Sequence, residues 1–319
     1  MEWLLLAFLI ALYTMQSLFT KLYTDKYPGD ENDASNVLTV VSGLSVAIIT
    51  FVFFSKFEFT FNIWCILIGF CNAIALYAYN WSIVKASQTG PYSILMMFSL
   101  SGGIIIPIIV ALIMGWDSWD TAGIAIINIV AIITIIVSVY LVSSKEESSG
   151  EKGRKEKSDK KMGGISLAFI ISCFILGIAN GVYGVFLTLQ QQSALAGGEA
   201  NRDEMIISTF FFAAVISFVV GIIKKKGKFF CSFRQNKISA IWLVATSIVF
   251  ALAINLIVII IPMISTTILY TIDNASVLIM SVLISCIFFK EKLSVKNIIG
   301  ITFMVIALVG MNLLPTFIK

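Results

Sequence analysis

Histidine is absent from this chain of 319 residues, and only 13% of the residues carry charge. The first absence removes the commonest metal ligand, the commonest general base and the side chain that most readily titrates near neutrality. Any proton chemistry therefore falls to carboxylates. The second leaves too little polar surface to enclose a soluble domain, because 59% of the residues are hydrophobic and the mean hydropathy is +0.97. The five cysteines are odd in number and scattered, with Cys65, Cys71, Cys173 and Cys286 in apolar runs and Cys231 in a basic loop. That pattern offers neither a disulfide framework nor zinc spacing. There is no P-loop motif, which argues against direct ATP drive. No loop combines a nucleophile with a base, so an enzyme is not expected, and no metal or cofactor is called for.

What the chain does have is long apolar runs. A bilayer core of about 30 Å needs roughly 20 helical residues. Runs of that kind lie near residues 1–23, 36–55, 62–84, 91–114, 121–143, 163–190, 205–223, 238–261, 264–289 and 294–314. They read as helices, since a membrane barrel would show segments of about ten residues with apolar-polar alternation. The first run opens Met1-Glu2-Trp3 without a basic leader and without a small-x-small cleavage site, so it is expected to remain as a membrane helix. The expected fold is an all-α integral membrane protein of ten transmembrane helices in two inverted five-helix repeats. Residues 1–143 form the first repeat, 144–162 a charged cytoplasmic linker and 163–319 the second repeat.

Charge placement sets the orientation. With ten spans, the odd-numbered loops hold 19 of the 22 basic residues, including seven in the linker and six between Lys224 and Lys237. Only Lys56, Arg202 and Lys319 fall on the other side. The positive-inside rule puts the odd-numbered loops in the cytoplasm and both termini outside. The linker mixes bases, acids, Ser and Gly with nothing to bury, as a flexible tether does. Its position beside membrane helices explains its basic residues as topology signals and lipid-headgroup contacts, not as a nucleic-acid site. A multi-pass protein of the plasma membrane is expected.

A shift of 174 residues lays Trp64–Ser99 over Ile238–Asp273, with Ser93-Ile94-Leu95 against Thr267-Ile268-Leu269. Each half has an odd number of spans, so two copies would lie upside down relative to each other. Inverted repeats of this kind are a feature of secondary transporters, which bind substrate near the midplane. The stretch Phe289-Lys290-Glu291-Lys292-Leu293-Ser294 through Gly300-Ile301, followed by an apolar helix with Gly310, resembles the end of an EamA-type repeat. Met114-Gly115-Trp116-Asp117 through Gly123 is a shorter version with Asp in place of Glu, and Gln16-Ser17-Leu18-Phe19-Thr20-Lys21 is similar to the family's first-helix pattern without its Trp-Gly. Together these span almost the whole chain and resemble the drug/metabolite transporter superfamily of ten-helix carriers. The resemblance implies a carrier for small metabolites, with a central cavity between halves, alternating access and export as the direction of flux. It also implies cytoplasmic termini, and there the charge count is followed instead. The alternatives are an uptake carrier for a sugar, a nucleotide-linked compound or a quaternary amine and, from another class, a non-transporting membrane scaffold.

Of the 18 acids, Asp273 is the one placed deep within a span. An ionised Asp at a helix centre costs about 2.5–3.5 kcal/mol on the insertion scale. It must face a wet cavity, find a partner or hold a proton, and it is therefore the candidate site for a coupling proton or cation. Thr266 and Tyr270 share its helical face. In the first run Tyr13, Gln16, Ser17 and Thr20 follow i, i+3, i+4, i+7 spacing, with Lys21 beside them. Lys21 could pair with an acidic group or snorkel to headgroups. Asn80 in the third run and Asn180 and Tyr183 in the sixth complete the candidates for substrate contact. Gly177 and Gly181 form a small-xxx-small pair, and Gly102-Gly103 precedes Pro107, both suited to close packing.

Overall fold

The computed structural model describes residues 2–115, 122–143, 161–162, 165–225, 236–260, 263, 266–290 and 295–318. Ten α-helices make up nearly all of it. They are α1 (Glu2–Lys26), α2 (Glu31–Ile49), α3 (Ile63–Thr89), α4 (Tyr92–Ile113), α5 (Ala122–Ser143), α6 (Leu167–Gln192), α7 (Arg202–Lys225), α8 (Lys237–Ile260), α9 (Thr266–Ile287) and α10 (Val295–Ile318). One antiparallel pairing of two residues each, Lys161–Met162 with Ile165–Ser166, is the sole strand structure among the described residues. Five helices precede the charged linker and five follow it; residues 144–160 of that linker lie outside the described residues.

Short polar caps set the helix starts. Asp30 accepts from the Asp33 backbone N–H at 2.8 Å, so α2 begins five residues before its apolar run, with Glu31 and Asp33 against the positive end of the helix. Asn62 accepts from the N–H groups of Trp64 and Cys65 at 3.0 and 3.1 Å to open α3, and Ser166 accepts from Phe169 N–H at 3.1 Å to open α6. Asn236 accepts from Ile238 N–H at 3.0 Å while its amide donates to the Lys26 carbonyl at 2.8 Å, tying the start of α8 to the end of α1. A π-helical turn, Thr50–Phe54, prolongs α2, and the Asn255 amide of α8 donates to the Thr50 hydroxyl at 2.9 Å.

Seven helices, α1 to α4 and α6 to α8, are long and apolar enough to cross a membrane. With 22–27 residues each they measure about 33–40 Å, against a hydrocarbon core of about 30 Å. Counted over described residues, α5, α9 and α10 carry shorter apolar stretches, Gly123–Ser138, Ile272–Ile287 and Val295–Met311. The outer faces of the long helices expose large apolar side chains, among them Phe8, Ile48, Ile74, Phe211 and Ile241. Water would not tolerate a belt of that extent, and lipid does. The protein is membrane-embedded.

The interior is packed in two main layers along the helix axes, with a smaller cluster of Cys65, Leu187, Ala196 and Met205 beside them. One draws on the end of α1 (Tyr23), the start of α2 (Val37), the end of α3 (Val84) and the start of α4 (Tyr92, Leu95). The other draws on the start of α1 (Leu6, Leu9), the end of α2 (Val46) and the second half of α8 (Phe250, Ile254). Ile10 and Tyr13 pack against both, which places the middle of α1 at the junction. Beside this junction α4 and α6 approach backbone to backbone. A methyl group added at Gly102 would overlap the Gly177 carbonyl, and one at Gly181 would overlap the Gly102 carbonyl. Glycine is what allows this crossing, where van der Waals contact replaces the hydrophobic effect that lipid cannot supply.

Candidate functional site

Between the two layers lies a cavity of about 130 Å³. Six helices line it at helical spacing: α1 through Tyr13, Gln16 and Ser17; α3 through Leu76 and Tyr79; α4 through Met96, Ser99, Leu100 and Gly103; α6 through Asn180, Tyr183, Gly184 and Leu187; α8 through Phe250, Ile254 and Ile257; α9 through Asp273, Asn274 and Val277. An apolar helix with a polar residue every third or fourth position can only bury that stripe against other helices, and here the stripes converge.

Hydrogen bonds hold several of these groups. The Asn180 amide donates to the Ser99 carbonyl at 2.8 Å, and the Tyr79 hydroxyl shares a hydrogen bond with the Ser99 side chain. The absence of a side chain at Gly103 makes room for Asn180, whose amide nitrogen would lie 2.5 Å from a methyl group there. Ser17 donates to the Tyr13 carbonyl at 2.9 Å, within its own helix. Asp273 differs from all of these. It is 6% exposed, and its Oδ1 is buried with no hydrogen-bond partner among the described residues. Among the described residues no Lys or Arg lines the cavity, so an ionised Asp273 would leave that lining with one uncompensated negative charge.

Six of the sequence-derived candidates meet here: Tyr13, Gln16, Ser17, Asn180, Tyr183 and Asp273. Lys21 sits elsewhere. It donates to the Ser87 carbonyl, pairs with Asp25 at 2.8 Å and lies 5.8 Å from the Phe289 ring centre, toward the end of α1. Asn80 is buried next to Tyr79 but does not line the cavity. The side chains of Thr266 and Tyr270 lie outside the described residues. Ser99 and Asn274 are lining residues that sequence reasoning passed over. A signal for Ser99 existed, because the shift of 174 residues lays it on Asp273.

Polar links close the structure toward each membrane face. At the end rich in basic loops, the Lys21 cluster is joined by a Tyr92–Phe289 ring contact, 5.7 Å between centroids, and by the Asn236–Lys26 bond. At the other end the buried Glu204 of α7 accepts from the Thr60 hydroxyl and from the Asn62 N–H at 2.7 Å, on the connection between α2 and α3.

No protein-family model and no curated protein matches this sequence. The fold has solved counterparts. One solved structure, described only as "Crystal structure of protein", superposes with a TM-score of 0.53 at 12% identity, covering 98% of this chain and 99% of its own. At that identity the likeness is one of fold. Together, fold and site define an all-helical, membrane-embedded protein with a chamber of mixed polar and apolar lining between its main apolar layers.

Proposed function

We propose that this chain is a secondary carrier of a small metabolite, in which two inverted five-helix repeats expose the central cavity to each side of the plasma membrane in turn. The carrying observation is the origin of the cavity lining: the first, third and fourth helices of each group of five, α1, α3 and α4 with α6, α8 and α9. Helix pairing follows the same relation. α1 packs on α8 as α6 packs on α3, α1 on α9 as α6 on α4, and α2 meets its counterpart α7, as α5 meets α10. A pseudo-twofold axis in the membrane plane would produce such exchanges, and with five spans per half the copies run in opposite directions. This supports α5, α9 and α10 as spans too, giving ten.

The EamA-type resemblance fits this reading and suggests export; the charge count puts the basic loops in the cytoplasm. Asp273 is the group on which a coupling proton or a cationic centre would reside. The cavity size favours small solutes, since a void of about 150 Å³ holds a molecule the size of benzene. That weighs against the nucleotide-linked alternative. A non-transporting scaffold has no evident use for a buried carboxylate whose Oδ1 has no partner among the described residues.

Counterflow in proteoliposomes tests the proposal. Vesicles preloaded in turn with an amino acid, a sugar, a nucleotide or an amine should accumulate the labelled form of at least one of them above protein-free vesicles. Absence of counterflow for every class would leave the scaffold reading.

A further inference from the structure

We propose that the cargo is a small organic cation, an amine or quaternary ammonium compound, whose charge is met by Asp273 and whose apolar body is met by aromatic rings of the same cavity. The inference rests on the carrier reading and deepens it.

Charge comes first. Asp273 lines the cavity, is 6% exposed and leaves Oδ1 without a partner among the described residues. A buried carboxylate in that state costs several kcal/mol unless a positive charge or a proton compensates it. Among the described residues no Lys or Arg lines the cavity to do so. The cation nearest in sequence on α1, Lys21, is held by Ser87, Asp25 and the Phe289 ring outside the cavity. Where Asp273 is ionised, the compensating charge therefore arrives with the ligand, and in the empty protein a proton takes its place. The same reasoning disfavours anions: a phosphate or carboxylate would meet Asp273 with nothing to offset the repulsion, and a zwitterion would leave its carboxylate unpaired.

The walls then choose among cations. A metal ion seeks several oxygen ligands, and Asp273 is the sole carboxylate among the described lining residues. Tyr13, Tyr79, Tyr183 and Phe250 instead surround the space with aromatic surface. Rings attract a desolvated organic cation through their quadrupole, and more strongly away from water. A volume near 130 Å³, slightly below the void of about 150 Å³ that holds benzene, limits the cargo to a small cation and puts choline at the upper end of the range.

The test uses the full-length protein in lipid nanodiscs with two probes of nearly equal shape, choline and its uncharged carbon isostere 3,3-dimethylbutan-1-ol. Choline should raise the thermal midpoint of the wild type and bind at least about tenfold more tightly than the isostere. Asp273→Asn should remove that difference, and Asp273→Glu should restore part of it. The isostere comparison on the wild type decides the matter even where a variant fails to fold. Equal binding of both probes, or undiminished choline binding by folded Asp273→Asn, would overturn the proposal. Failure to bind choline together with counterflow of a neutral or anionic solute would overturn it while the carrier reading stands. Failure of choline binding and of counterflow for every class removes both.

Discussion

Asp273→Asn is expected to abolish concentrative transport while making the protein more stable. The two effects have one cause. Asp273 is buried in the second half of the chain with an unpartnered oxygen among the described residues, so an ionised carboxylate there weakens the empty protein. Asparagine keeps the shape and sheds the charge. Removing an uncompensated buried charge should raise stability by about 1–3 kcal/mol. Transport should fall to the level of empty vesicles, because the group that would bind a proton or a cationic cargo is gone. Unfolding by added SDS, run beside uptake in proteoliposomes, separates the outcomes. A variant that is less stable and still active would mean that Asp273 serves packing alone.

Glu204→Ala is expected to produce the largest loss of stability of any single change on the face opposite the basic loops. The carboxylate is 4% exposed and accepts from the Thr60 hydroxyl, from Asn62 N–H at 2.7 Å and from the Asn201 amide at 3.5 Å. Asn62 in turn caps α3 and donates to the Leu195 carbonyl at 2.9 Å. Truncation takes the shared acceptor from the exposed Thr60 hydroxyl and from the half-buried Asn62 and Asn201 donors at the junction of α3 and α7. Hydrogen bonds to a charged group contribute about 1.5–3 kcal/mol each, so a loss of about 2–4 kcal/mol is expected, with Glu204→Gln retaining part of it. SDS unfolding of the two variants checks this. Because these bonds join one half of the chain to the other, the proposed alternating access predicts that their loss also favours the state open on that face.

The helices were legible because lipid imposes one rule on every segment: about 20 apolar residues whose backbone satisfies itself. Their ends were not, and α2 shows why. Hydropathy sees Glu31 and Asp33 as loop, whereas Asp30 caps them into the first turn. Periodicity found the cavity stripes on α1 and α6, since Gln16, Ser17, Asn180 and Tyr183 are polar on one side of apolar helices. It could not tell which face of α3 matters: Tyr79 reaches the cavity while its neighbour Asn80, about 100° around the helix, is buried elsewhere. Lys21 shared its stripe with Ser17, but one turn is enough to carry it out of the cavity and into the cluster with Ser87 and Asp25. Which polar residues face a cavity and which face a neighbouring helix depends on rotation, and a single chain's composition does not carry it.

Access to Ser99 from the two sides of the membrane tests the central claim most directly. With the native cysteines replaced, a single cysteine at this cavity-lining position would be treated with a membrane-impermeant maleimide in right-side-out and in inside-out vesicles. Alternating access predicts labelling from both sides. Labelling from one side alone, or from neither, would contradict the account.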